Sequence, residues 1–269
     1  KSLLKALSTL GDSPSSYGSL GFLEEIDKIT PENLYTYYKQ VINTDYVDIY
    51  VVGNLDMDEV SRIVDKYAKF NVIKNHEVGM YVSNVKRKPV ILSDKSSNAQ
   101  SNIVVLVNLN NLTTDEKKYA ANMYNLILGG GSLETKLYQK LRVENSLCYN
   151  VGSMYQKYDG LIIITTSVDI NKSNLAVQLI KTCLKEMKTN ISDEELVNAK
   201  ALAKTSLNMT NDNIGRIVDN AYYQNISDLD DLDVRLDKFD KVSINDVKKV
   251  AEKTSISTIY VLEGGNTNE

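Results

Sequence analysis

Three observations predict an α+β fold of two similar domains, each a mostly antiparallel sheet with packed helices, the first domain incomplete. The first is a hairpin. Residues 146–156 and 161–168 alternate in polarity as strands do, and Lys157-Tyr158-Asp159-Gly160 between them has turn chemistry. The second is a set of helix starts. Thr113 with Glu116, Ser192 with Glu195, and Asp56 with Glu59 each place a capping oxygen three residues before a glutamate. The third is an internal repeat, the kind of signal that outranks local propensity. Ile26-Asp27-Lys28-Ile29-Thr30 leads through Asn33-Leu34 and a helical run to Ile49-Tyr50-Val51-Val52-Gly53. Phe239-Asp240-Lys241-Val242-Ser243 leads through Asp246-Val247 and a helical run to Ile259-Tyr260-Val261-Leu262-Glu263-Gly264.

Taken in order, residues 1–10 read as a short helix and 11–18 as a turn-rich loop. Thr30 followed by Pro31 is an N-cap with proline in the first turn, so a helix is predicted over 31–41. A strand is predicted over 47–52, then a helix over 56–70 with Val60, Ile63, Val64 and Tyr67 on one face. Residues 71–88 lack periodicity and end in Lys86-Arg87-Lys88-Pro89. The predicted division is therefore 1–75 as the closing part of a first domain, 76–88 as a linker, and 89–269 as a second domain.

The second domain opens with strands at 90–92 and 101–109, then a helix over 113–128 burying Tyr119, Met123, Leu126 and Ile127. Gly129-Gly130-Gly131 breaks that helix, and another runs from 132 to 142 into the hairpin. Helices are predicted over 172–188 and, as one piece, over 193–224. The acidic stretch 228–240 carries Leu229, Leu232, Leu236 and Phe239 at helical spacing. It has no glycine where a calcium loop must turn, so it reads as a solvated amphipathic helix. The closing repeat copy, a capped helix and a strand, completes a sheet near residue 264.

Composition excludes several functions. A length of 269 residues fits about two domains at ~100–200 residues each. The net charge of −4 with mixed signs gives no basic footprint for nucleic acid and no polybasic membrane patch. No apolar run approaches the ~20 residues of a membrane span. The two cysteines, Cys148 and Cys183, fall in a predicted strand and a predicted helix and read as buried free thiols. Reduced thiols fit a cytoplasmic location, while Lys1-Ser2-Leu3-Leu4 carries neither an initiator methionine nor a signal peptide.

The chemistry concentrates in Leu128 to Ser153, LGGGSLETKLYQKLRVENSLCYNVGS. A phosphate cradle needs its glycines after a strand and before a helix, whereas this triple glycine comes after a helix and reads as a C-cap. Arg142 offers a permanently charged fork, and Tyr149, seven positions on, a phenol on a strand. Such donors can stabilise the oxyanion of peptide hydrolysis. Alternation along that strand places Leu147, Tyr149 and Val151 on one face. The same spacing also allows Arg142 to pair with Glu144 while Tyr149 packs in the sheet.

The segment resembles the C-terminal-domain signature of the insulinase, pitrilysin and mitochondrial-processing-peptidase family of zinc peptidases. The resemblance spans nearly all of 10–264. It implies a metallohydrolase-like tandem of domains, with Gly129, Gly130 and Gly131 near a substrate cavity. Arg142 and Tyr149 would hold substrate backbone opposite the metal. It also implies a His-x-x-Glu-His motif and a later glutamate, and these this chain cannot supply. Its single histidine is His76, in Asn75-His76-Glu77-Val78-Gly79. Residues 11–18 resemble the family's His-Pro-Tyr-Gly loop with Ser13 in place of the histidine. Glu144 to Tyr149 and residues 167–174 are similar to a bacterial group of paired homologues. In those pairs the zinc-less member is associated with elongation factor P modification.

The resemblance and the missing metal motif together predict a noncatalytic or half-site subunit. It would orient peptide or small-protein substrate for a zinc-bearing homologue, in a homo- or hetero-oligomer. No cofactor is expected in this chain, zinc belonging to a partner or to sequence before Lys1. The alternatives are the C-terminal part of an active zinc endopeptidase whose metal motif lies upstream, and a purely structural assembly subunit.

Overall fold

The computed structural model describes residues 2–11, 14–17, 23–70 and 88–265. His76, Ser13 and residues 76–87 of the predicted linker lie outside them. The chain forms two compact units: Lys1–Gly18, Met80–Ser206 and Leu232–Glu269 make one, and Ser19–Gly79 with Leu207–Asp231 the other.

The first unit is built on one five-stranded sheet. Its strands are β1 (Val90–Lys95), β2 (Gln100–Leu109), β3 (Cys148–Gln156), β4 (Leu161–Asp169) and β5 (Thr254–Glu263), in the order β1-β5-β2-β4-β3. Only β1 and β5 run parallel, so the sheet is mostly antiparallel as expected. β2 is central and almost wholly buried, because both its edges are paired and both its faces are covered.

One face is covered by helix α1 (Ser2–Leu7) and the 3₁₀ turn after it, whose Ala6 and Leu10 join Val104, Leu106, Leu161, Ile163, Tyr260 and Leu262 in one core cluster. The predicted division at residues 75 and 89 therefore does not match the packing. The opening helix lies with the sheet of 90–263, since alternation along β2 and β4 leaves an apolar face there that needs cover. The short helix α2 (Pro14–Tyr17) comes next in the chain.

The other face carries Ile103, Val105, Val107, Ile162 and Ile164. Helix α6 spans a π-helical turn, Glu116–Ala120, and Ala121–Leu128. Helix α7 spans Lys136–Tyr138 and a second π-helical turn, Gln139–Val143. With α8 (Ser173–Thr189) these cover that face, and α12 (Ile244–Glu252) packs on α8 and α6. The capping box at Thr113 and Glu116 is formed: the Thr113 amide donates to Glu116 Oε2 at 2.7 Å and the Glu116 amide to Thr113 Oγ1 at 3.2 Å. α9 (Asp193–Asn208) begins at the matching Ser192 and Glu195 box. The acidic stretch is indeed helical, α11 (Leu232–Lys241), with Phe239 buried against Tyr119.

The helix predicted over 193–224 is two. After α9 the chain turns, and α10 (Ile214–Ile226) starts at Asn213, whose side chain accepts from the Arg216 amide at 3.1 Å. Asn211-Asp212-Asn213 supplies side-chain acceptors that compete with a continuous helix.

The second unit contains α3 (Leu23–Ile26), α4 (Pro31–Thr44), α5 (Met57–Tyr67) and α10. None of α4, α5 and α10 has a buried residue. The two repeat copies share their helix and its cap: Thr30 with Asn33 and Ser243 with Asp246 form reciprocal boxes. They diverge at the strand. Residues 254–263 enter the sheet as β5, whereas 47–52 form no strand, a correction to the strand predicted there. A strand needs a neighbour for its amides, and the described residues of this unit offer none. Among the described residues no helix is long and apolar enough to cross a membrane.

Leu106→Ala, at a fully buried position, is expected to cost about 2–5 kcal/mol in urea unfolding. Leu34→Ala, on the open face of α4, should change stability by less than about 0.5 kcal/mol. Acid sensitivity offers a second measurement. Burial raises the Glu116 carboxyl, but the Lys253 ammonium 2.7 Å away and the Thr113 bonds outweigh it and hold the pKa below the ordinary value. A carboxyl held lower in the folded state stabilises above the ordinary carboxylate range and loses that stabilisation as pH falls through its folded value. The acid limb of the stability profile should be shallower in Glu116→Gln than in the parent.

Candidate functional site

The glycine turn, the end of α7 and the start of β3 come together at one margin of the sheet. α6 ends where the Gly129 and Gly130 amides both donate to the Asn125 carbonyl, at 3.0 and 2.8 Å. The turn then lies against β3, with the Ser153 amide donating to the Gly129 carbonyl at 3.0 Å and Ser153 Oγ donating to Asn125 Oδ1 at 2.8 Å. Glycine is required here by proximity. A Cβ on Gly129 would sit 2.7 Å from Leu137 Cδ1 and 2.9 Å from the Ser153 nitrogen. Gly131 has a φ of 101° and open space around it.

α7 is tied down by Lys136 to Glu195 (2.7 Å) and by Lys140 to Glu186 (3.4 Å). Its last turn is π-helical, the Glu144 amide reaching back to the Gln139 carbonyl. Ser146 adopts a φ of 49°, and the Leu147 amide donates to the Leu141 carbonyl at 2.9 Å, reversing the chain into β3. This brings Arg142 beside the strand that comes after it. Arg142 Nη1 donates to the Cys148 carbonyl at 3.0 Å, and its guanidinium lies 5.3 Å from the centre of the Tyr149 ring.

Tyr149 departs from simple alternation. Instead of sharing one face with Leu147 and Val151, which are both buried, it is 82% exposed. The cause is a β-bulge. Cys148 pairs with Val168 and Val151 with Thr166, so β3 has one residue more than β4 across this step. Tyr149 and Asn150 occupy the bulge and both face solvent. Thr166 Oγ1 holds it by donating to the Asn150 carbonyl at 2.9 Å.

The alternative of an Arg142–Glu144 pair is not what forms. Glu144 pairs with Lys140 at 3.3 Å, and Tyr149 is not packed in the sheet. Arg142 and Tyr149 are brought together; the glycines support the same strand four residues farther along. The concavity beside the glycine turn, about 270 Å³, is lined by Ser132, Glu134, Thr135 and Gln139 with α9 residues, and by neither Arg142 nor Tyr149. The π-turn and the bulge were not legible, since neither has a composition of its own.

Among the described residues no group of three or more His, Cys, Asp or Glu is placed to hold a metal. The donor set also does not fit the zinc site that the resemblance implies, because His76 is the chain's single imidazole. Both cysteines are free and buried. Burial pushes the Cys148 thiol up and takes Cys183 to about 12. Both are therefore held in the protonated form at neutral pH.

Residues 28–202 match the model of the peptidase M16 inactive domain. A Bacillus subtilis protein described as the probable inactive metalloprotease YmfF is 26% identical over 249 residues, covering 91% of this chain and 58% of that protein. A conserved protein from Enterococcus faecalis has the same fold, with a TM-score of 0.89 at 22% identity over 99% of this chain and 64% of its own. A peptidase M16 inactive domain from Pseudomonas fluorescens superposes with a TM-score of 0.77 at 18% identity, covering 100% of this chain and 66% of that one. The chain spans about three fifths of the YmfF protein's length.

Gly129→Ala should lower stability by about 1–3 kcal/mol through its clash with Leu137 and the β3 backbone, read from thermal melts with Gly152→Ala as the milder comparison. Both thiols should resist an aromatic disulfide reagent in buffer and react promptly in denaturant. Prompt reaction of the folded chain would show that β3 or α8 opens.

Proposed function

Because this chain belongs to the peptidase M16 inactive-domain family, we propose that it is a noncatalytic half-site. In this reading it binds and orients an extended peptide for a zinc-bearing partner or domain. One observation carries the proposal: the Arg142 guanidinium over a Tyr149 ring that a bulge holds out to solvent. A large aromatic left outside the core, with a forked cation over it, has the makings of a recognition pair.

The chemistry is that of donors aimed at a carbonyl. Arg142 spends one N–H on the Cys148 carbonyl and keeps further donors of its fork for a ligand. That bond orients the guanidinium without neutralising it. The Tyr149 hydroxyl adds a second donor on a backbone that Thr166 restrains. A peptide carbonyl held between them would be polarised, and the charge developing on its oxygen during attack would be met by fixed donors.

Main-chain pairing along β3 contributes little. At Ser153 the outer amide is already taken by the Gly129 carbonyl, and Cys148 and Leu147 are engaged by α7. The peptide would therefore be held chiefly by the two side chains at the bulge.

The test is turnover of a peptide by the chain mixed with a zinc-bearing homologue from its own organism. Arg142→Lys, which loses the fork, and Tyr149→Phe, which loses the hydroxyl, should each slow turnover by about 10²-fold with melting temperature unchanged. Parent-like turnover in both variants would leave the pair a structural remnant. Turnover by the dialysed chain alone would contradict the noncatalytic reading itself.

A further inference from the structure

A second surface lies at the opposite end of β2 and β5 and shares no residue with the Arg142–Tyr149 site. Helix α8 presents Lys181, Lys185 and Lys188 around a concavity of about 300 Å³ whose accessible apolar lining is the half-buried Ile256, with Val107 and Leu184 almost wholly buried at its base. All three lysines are exposed. Among the described residues none has an ion-pair partner: the α8 glutamate, Glu186, turns to Lys140 instead.

The placement works against the helix. Positions i, i+4 and i+7 lie on one face, where like charges repel. The protein as a whole is acidic, with a net charge of −4, so three clustered cations do not reflect a basic surface. Side-chain packing does not account for them either, since all three residues are exposed.

From this juxtaposition we infer that the α8 lysine row docks an acidic amphipathic segment of a partner protein, its carboxylates on Lys181, Lys185 and Lys188 and an apolar side chain over Ile256. The shape selects this occupant over a small anion. Seven residues of helix extend about 10 Å, so the cations form a row rather than converging on one point as a phosphate requires. Lysine stems are flexible point charges, suited to successive carboxylates on a facing segment. The exposed part of Ile256 gives that segment an anchor no inorganic anion would use.

The probe is a fluorescein-labelled helical peptide with glutamates on successive turns around one leucine, titrated with the full chain and followed by anisotropy at low salt. Binding is expected, weakening as salt rises. Replacing all three lysines by glutamine should weaken it about tenfold, as for three exposed ion pairs, while the all-arginine variant keeps it. The glutamine variant should melt no lower than the parent, because it relieves repulsion. Absence of peptide binding, or equal binding by the glutamine variant, overturns the inference. So does lysine-dependent binding of inorganic phosphate or phosphatidylserine vesicles without binding of the peptide.

Discussion

The double burial of β2 is the constraint on which the first unit depends. A strand paired on both edges can be stable only if both its faces are kept from water, because its alternate side chains are all apolar from Ile103 to Val107. That requirement draws in α6, α7 and α8 on one side and residues 2–10 on the other. With the centre of the sheet committed to packing, only its margins are free for other work. The features with chemical potential lie at those margins: the bulge of β3, the glycine turn against it, and the lysine row of α8 beside the ends of β2 and β5.

The Arg142–Tyr149 pair shows how little energy a site geometry needs. A cation over an exposed ring contributes on the order of 0.5–1 kcal/mol, too little to hold two long side chains in place unaided. Placement comes from the backbone instead. The π-turn, the left-handed Ser146 and the bulge are each enforced by hydrogen bonds into buried elements. The ion pairs of Lys136 and Lys140 then prevent α7 from drifting relative to α8 and α9. The core fixes the frame, and the frame presents the side chains.

Much of the fold was legible because its signals are local and redundant. The capping pairs at Thr30, Asp56, Thr113, Ser192 and Ser243 start helices where residue chemistry says they should. The hairpin around Gly160 and the apolar β2 are equally plain. What failed depended on partners or on single extra residues. Val47, Ile49, Val51 and Val52 have the composition of a strand, and composition cannot supply the neighbour that makes one. The break at Asn213 was hidden by helical periodicity on both sides of it. The membership of 2–10 in the sheet's core involves contacts across some hundred residues of sequence, which no local window reports. At the site, the residue types and their spacing were readable. Tyr149's exposure was not, because one unpaired residue reverses the facing of its successors.

The seven-residue separation of Arg142 and Tyr149 is thus a composite length. Part of it is the extra residue accommodated by a π-helical turn and part the extra residue accommodated by the bulge. Each insertion alone would throw its neighbours out of register with the core, and each is absorbed within a few positions by a local distortion. The interval behaves like a slack loop with both ends clamped. Removing either distortion from this chain would therefore turn Tyr149 relative to Arg142 without changing either residue.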